Sequence, residues 1–143
     1  MHETAQAFGY PRTLIADSAH WMVLMRPAQV TVGALVLTAR DDVRALSDLS
    51  PAACTELHTV IGAIERTLAG LFEYRKINYL CLMMRDPQVH FHVLPRYDGP
   101  RDVAGTRFTD AGWPGQPDLG SAPELDDATF DAIAEMLRGD WPS

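Results

Sequence analysis

The run Gln88-Val89-His90-Phe91-His92-Val93-Leu94-Pro95-Arg96 constrains this chain more than any other stretch. Side chains of a strand point alternately to opposite faces, so a strand from Gln88 to Tyr97 sends Val89, Phe91 and Val93 into a core. Gln88, His90 and His92 then line the other side. Neighbouring groups on that ridge stand about 6.6 to 7 Å apart, near enough to meet adjacent atoms of one polyphosphate.

The rest of the chain supplies partners for such a strand. Thr13 to Ala16 and Trp21 to Met25 read as strands around a hairpin-like turn at residues 17–20, and Gly33 to Thr38 as a third. Asp41 to Leu49, with apolar residues three apart, suggests a short helix or helical turn. Ser50 is a natural N-cap and Pro51 a natural first residue for a helix to residue 72, whose Leu57, Val60, Ile61, Ile64, Leu68 and Leu71 share a face. Ile77 to Met84 reads as a buried strand, with Asp86-Pro87 as the turn before the constraining run. Residues 99–123 are rich in glycine and proline and predict an ordered arm without regular structure. Asp126 then caps a last helix that buries Phe130, Ile133, Met136 and Leu137 and ends at Gly139. Five strands joined by short turns, with one long helix and a C-terminal helix, make an antiparallel α+β fold. The expected division is a domain over residues 1–100 and an acidic arm, 101–143, packed on it. Gly33 stands alone, so neither a dinucleotide fingerprint nor a Walker loop can be drawn.

Composition narrows the function. At 143 residues, 47% apolar and 22% charged, the chain suits one self-sufficient domain without disulfides. Residues 1–101 are electrically neutral, and residues 102–143 carry the whole net charge of −7. Without a basic excess there is no electrostatic drive toward duplex nucleic acid, whereas a small phosphorylated ligand needs only a few aimed arginines. No apolar run is long enough for a membrane span, and the first residues lack the basic start and apolar stretch of a signal peptide. Both point to the cytoplasm. Cys54 and Cys81 have no C-x-x-C spacing and are expected to be buried thiols.

A His-x-His pair on a strand has three readings: an idle polar face, a metal site, or a phosphate site. A tetrahedral zinc site would have to recruit His2, His20, His58, scattered carboxylates or the two cysteines, and no ligand spacing brings these together, so no metal or other cofactor is expected. A neutral imidazole is a competent nucleophile toward phosphorus near neutral pH, and a second one can donate to non-bridging oxygens. Trp21, Met22, Met25, Met83 and Met84 are expected mainly in the core, with an apolar base pocket as the other reading. Trp113 and Trp141 are candidates for anchoring the arm.

With Asn78 upstream, Gly33 before its strand and the Leu94-Pro95-Arg96 ending, residues 10–100 resemble the histidine triad (HIT) family of nucleotide hydrolases and transferases, whose motif is His-φ-His-φ-His-φ-φ with φ apolar. The resemblance implies that His90 attacks an α-phosphorus to form a nucleotidyl-histidine and that His92 supports the phosphate. Gln88 takes the place of the first histidine; its amide can donate but carries no proton or charge. Asn78, Arg26 and Arg85 are the implied nucleotide contacts, Arg26 standing where an asparagine is common. Ala34 replaces a customary histidine, and Met83-Met84-Arg85 a customary Gly-Gln or serine-bearing loop. Arg85 or Arg96 is a candidate replacement phosphate donor, with a surface or salt-bridge role as the alternative. The implied substrates are dinucleoside polyphosphates or nucleoside phosphoramidates, the implied assembly is a homodimer, and the arm is expected to adjust access to the site. A nucleotide-binding module with little turnover is the competing reading.

Overall fold

A computed structural model describes residues 2–142. Five strands form one antiparallel sheet: β1 (Leu14–Asp17), β2 (Trp21–Met25), β3 (Leu35–Ala39), β4 (Lys76–Leu80) and β5 (His90–Arg96), in the spatial order β1-β2-β3-β5-β4. The helix α2 spans Pro51–Phe72, and the Ser50 hydroxyl accepts from the Ala53 amide at its start. Both helix ends agree with the sequence reading because the cap, the N1 proline and the apolar stripe all point the same way. A single 3₁₀ turn, Leu46–Asp48, answers to the helical turn expected before it.

The alternation of β5 divides the molecule. Val89, Val93 and Tyr97 join Trp21, Val23, Met25, Leu35 and Leu37 in the main core. Ile64, Leu68 and Phe72 of α2 cover them, together with Phe130, Ile133 and Leu137 of α3 (Asp127–Asp140). Gly33 has φ +92°, and a Cβ there would lie 2.7 Å from the Phe72 ring, so both its backbone and its close packing require glycine. The opposite face of the sheet is covered in two patches. A short helix, α1 (Glu3–Ala7), sets Ala5 on Met22, Leu24 and Val36, while Leu119 packs on Val30, Ala34 and Leu94.

Three segments differ from the sequence expectation. The arm is not irregular throughout: β6 (Arg101–Val103) and β7 (Thr106–Phe108) form a hairpin, and Val103 and Phe108 belong to the main core. Strands of three residues are too short to register as alternation, and their two-residue turn is Ala104-Gly105, both at positive φ, instead of the more legible Asn-Gly. β4 stops at Leu80, short of Met84: Met83 stands at φ +52°, outside the extended region, and Leu82 and Met84 are exposed. Gly139 does not end α3, which runs to Asp140 with Trp141 as its cap. The cysteines differ as well. Cys54 is exposed on α2, and Cys81 is half-buried just past β4, where burial raises its thiol pKa.

Arg96 ties the arm to the sheet. Its Nε and Nη2 donate to the two carboxylate oxygens of Asp110 at 2.6 and 3.1 Å, its Nη1 to Asn78 Oδ1 at 2.8 Å, and its Nη2 also to the Gly115 carbonyl at 2.9 Å. The two paired side chains are 4% and 2% exposed. A buried charge whose partner is removed keeps its desolvation penalty without the compensating attraction. Asp110→Asn should therefore destabilise the chain by roughly 3–5 kcal/mol in urea unfolding. A change within the range of a surface substitution would show that the pair does not hold the arm.

Candidate active site

His90 and His92 emerge on the face of β5 opposite the main core, paired across to Thr38 and Val36 of β3. Their ring centroids are 5.4 Å apart and nearly perpendicular. They form the floor of a cleft of about 440 Å³ whose walls are Ala7 and Phe8 from the end of α1, Arg26 past β2, and Leu82, Met84, Arg85 and Asp86 from the β4–β5 connection. Met84 is the most exposed large apolar side chain among the described residues, at 84%, so it serves the cleft rim and not the core. Trp21, by contrast, is wholly buried, its indole donating to the Ala53 carbonyl.

Hydrogen bonds give the two imidazoles opposite tautomers. His90 Nδ1 lies 2.8 Å from the Gln88 carbonyl, which accepts only from N–H, so the Nε2 of the neutral ring keeps its lone pair. The Arg26 Nε–H points at His92 Nδ1 at 3.4 Å, which makes that nitrogen the acceptor and puts the ring proton on Nε2. One ring is thus prepared as a nucleophile and the other as a donor. Burial first, then the nearby charges of Arg26 and His90, push the His92 pKa down to about 4, so it stays neutral through the ordinary working range. Arg26 is itself held, its Nη1 donating to the Ala28 carbonyl at 2.7 Å. The loop behind it is stitched by Gln29, whose amide nitrogen donates to the Arg26 and Ala34 carbonyls and whose oxygen accepts from Gly33 N–H.

The residues proposed from sequence are not all brought together. His90, His92, Arg26 and Arg85 share the cleft. Gln88 is buried to one side, its amide bonded to Thr4, Glu3 and Asp42, and only its carbonyl serves the site. Asn78 accepts from Arg96 and is not among the cleft-lining residues. Of the two arginines considered as phosphate donors, Arg96 is committed to Asp110, whereas Arg85 makes no ion pair among the described residues. Phe8 was missed, because a five-residue helix with one turn of pattern gives no periodic signal. Among the described residues no group of three or more His, Cys, Asp or Glu is arranged to hold a metal, and no helix is long and apolar enough to cross a membrane.

Residues 10–99 match the model of a family described as the HIT domain. Among solved structures, the chain is similar to a histidine triad protein from Bradyrhizobium japonicum, at 24% identity and a TM-score of 0.76, over 99% of this chain and 96% of that one. A histidine triad protein from Marinobacter aquaeolei gives 22% identity and a TM-score of 0.75 over 99% and 94% of the two chains. One from Sinorhizobium meliloti gives 20% and 0.75 over 98% and 95%. At these identities the likeness shows a shared fold. No curated protein matches the chain significantly.

The tautomer assignment is open to direct measurement. Imidazole ¹⁵N spectra at neutral pH should show His90 protonated on Nδ1 and His92 on Nε2, with the His92 midpoint reached only on acidification to about 4. A His92 that titrates at the ordinary value would contradict the assignment.

Proposed function

The chain belongs to the HIT domain family, and on that footing we propose that it is a nucleotide hydrolase or nucleotidyl transferase working through His90. The observation that carries this reading is the Gln88 carbonyl on His90 Nδ1, which leaves the Nε2 lone pair free in a cleft walled by two arginines. Nε2 attacks the α-phosphorus of a bound nucleotide. The Nε2–P bond forms while the bond to the substituent breaks, and the departing group takes that electron pair. Water then attacks the phosphorus of the nucleotidyl-histidine and gives up a proton to solvent, the Nε2–P bond breaks with its electron pair returning to Nε2, and a nucleoside monophosphate leaves with His90 restored. His92 Nε2–H donates to a non-bridging oxygen, and its neutrality suits it to donate without adding a proton of its own. Arg26 and Arg85 supply the positive potential that an anionic transition state needs. No step calls on a metal. Dinucleoside polyphosphates and nucleoside phosphoramidates are the substrate classes that suit such a site.

One observation favours a second reading. With the Gln88 amide bonded elsewhere, no third side chain of the motif faces the ligand to help the leaving group depart. A nucleotide-binding module with little turnover would have the same cleft.

Rapid quench of enzyme with excess diadenosine polyphosphate, followed by intact-mass analysis, should reveal an AMP adduct in the unaltered chain and none in His90→Ala. His92→Ala should slow adduct formation by roughly a hundredfold or more, the scale of losing one positioned proton donor. Tight nucleotide binding with no adduct would favour the binding module instead.

We further propose a homodimer. β4 is an edge strand, paired only with β5, so its outer backbone groups are available to extend the sheet. Light scattering at micromolar concentration should give about twice the 15.8 kDa of one chain. A mass equal to one chain would reject the dimer.

A further inference from the structure

The five residues of α1 are too few to hold a helix on their own, yet it is fastened at both ends and through its middle. At its start His2 Nδ1 accepts from the Ala5 amide at 3.0 Å, which leaves the ring proton on Nε2 to donate to the Ala39 carbonyl at 2.6 Å. In its middle Thr4, fully buried, donates its hydroxyl to Gln88 Oε1 at 2.6 Å and its amide to the same oxygen at 3.0 Å. The Gln88 backbone N–H in return donates to the Thr4 hydroxyl at 3.0 Å, and Gln88 Nε2 donates to Glu3 at 3.3 Å and Asp42 at 3.0 Å. At its end the Phe8 carbonyl accepts from the Thr13 hydroxyl at 2.7 Å, and Gly9, at φ +89°, turns the chain away. The Phe8 ring is left 5.8 Å from the His90 ring and 5.6 Å from the His92 ring, edge-on to the latter.

We propose that Thr4 and Gln88 are positioning residues: they latch α1 to the sheet so that Phe8 closes one side of the cleft, holds the two imidazoles in place and keeps water from them. The functional meaning of this latch rests on the transfer reading above, but the latch itself is a property of the chain without nucleotide. Gln88 then serves the site through its neighbours. Its carbonyl sets the His90 tautomer, and its side chain sets the helix that carries the apolar wall.

The latch has a signature that a merely stabilising contact lacks. His92 is faced by Phe8 from α1, Arg26 from the end of β2, His90 from its own strand, and Arg85 and Asp86 from the β4–β5 connection. None of these charged groups sits on α1. Releasing α1 therefore changes the hydration of His92 while leaving its charged neighbours in place. Water favours the imidazolium, so the pKa must rise.

The experiment is an imidazole ¹⁵N titration of the full chain without nucleotide, on the unaltered protein and on Thr4→Val, Phe8→Ala and Gln6→Ala. Gln6 is exposed on the same helix and outside the cleft, and serves as the control. Thr4→Val and Phe8→Ala should each raise the His92 midpoint by about one pH unit or more, toward the ordinary value. Gln6→Ala should leave it unchanged. Backbone amides of residues 3–8 should exchange faster in Thr4→Val. An unshifted His92 in Phe8→Ala or in folded Thr4→Val, or an equal rise in Gln6→Ala, would overturn the proposal, and Thr4→Ala takes the place of Thr4→Val if the latter fails to fold. Because no nucleotide is present, an absent AMP adduct in the unaltered protein would sink the transfer reading without touching this result.

Discussion

Everything in this structure depends on the register of β5. It lies between β3 and β4, pairing with both, and its side chains alternate between a hydrophobic core and a polar cleft. A slip of one residue would turn both imidazoles into the layer under α2 and put Phe91 and Val93 on the other face. Packing against Trp21, Leu35, Leu37 and Leu68 forbids that slip. The same apolar contacts that stabilise the fold therefore aim the histidines.

Along the polar face of this run, one row of alternating residues has been given three tasks. Gln88 at one end is buried against Thr4 and fastens α1. Arg96 at the other end is buried against Asp110 and fastens the arm. Leu94, between Arg96 and the histidines, packs with Val30 and Ala34. Only His90 and His92 open onto a cleft. A polar side chain removed from water must find partners, and the chain meets that demand at each end with a segment that is itself held in place by doing so. The cleft is what remains between the two covers.

This arrangement also concerns the acidity of the arm. The net charge of −7 on residues 102–143 would oppose a polyphosphate if their carboxylates lined the site. Asp110 is instead neutralised by Arg96. Asp127 and Asp131 pair with Arg12, and Asp102 with Arg107. The charged groups that line the cleft are Arg26, Arg85 and Asp86 besides the imidazoles, none of them from the arm.

What the sequence determined by itself is whatever depends on neighbours along the chain. The span of α2, with its serine cap and proline start, needed only local rules, as did the strands around the Trp21 hairpin and the alternation that puts His90 beside His92. What the tertiary structure decided is whatever depends on which distant group reaches a side chain first. Gln88 and His90 are equivalent by spacing, yet Thr4 claims one and leaves the other open. Asn78 and Arg85 both looked like ligand contacts, but Arg96 takes Asn78 while Arg85 is left at the cleft wall. Leu82 and Met84 read as strand core and became cleft wall, because apolarity records a preference for leaving water without recording where the chain will provide cover. Phe8, which stands over both imidazoles, carried no signal at all, since its position comes from a helix that exists only when docked.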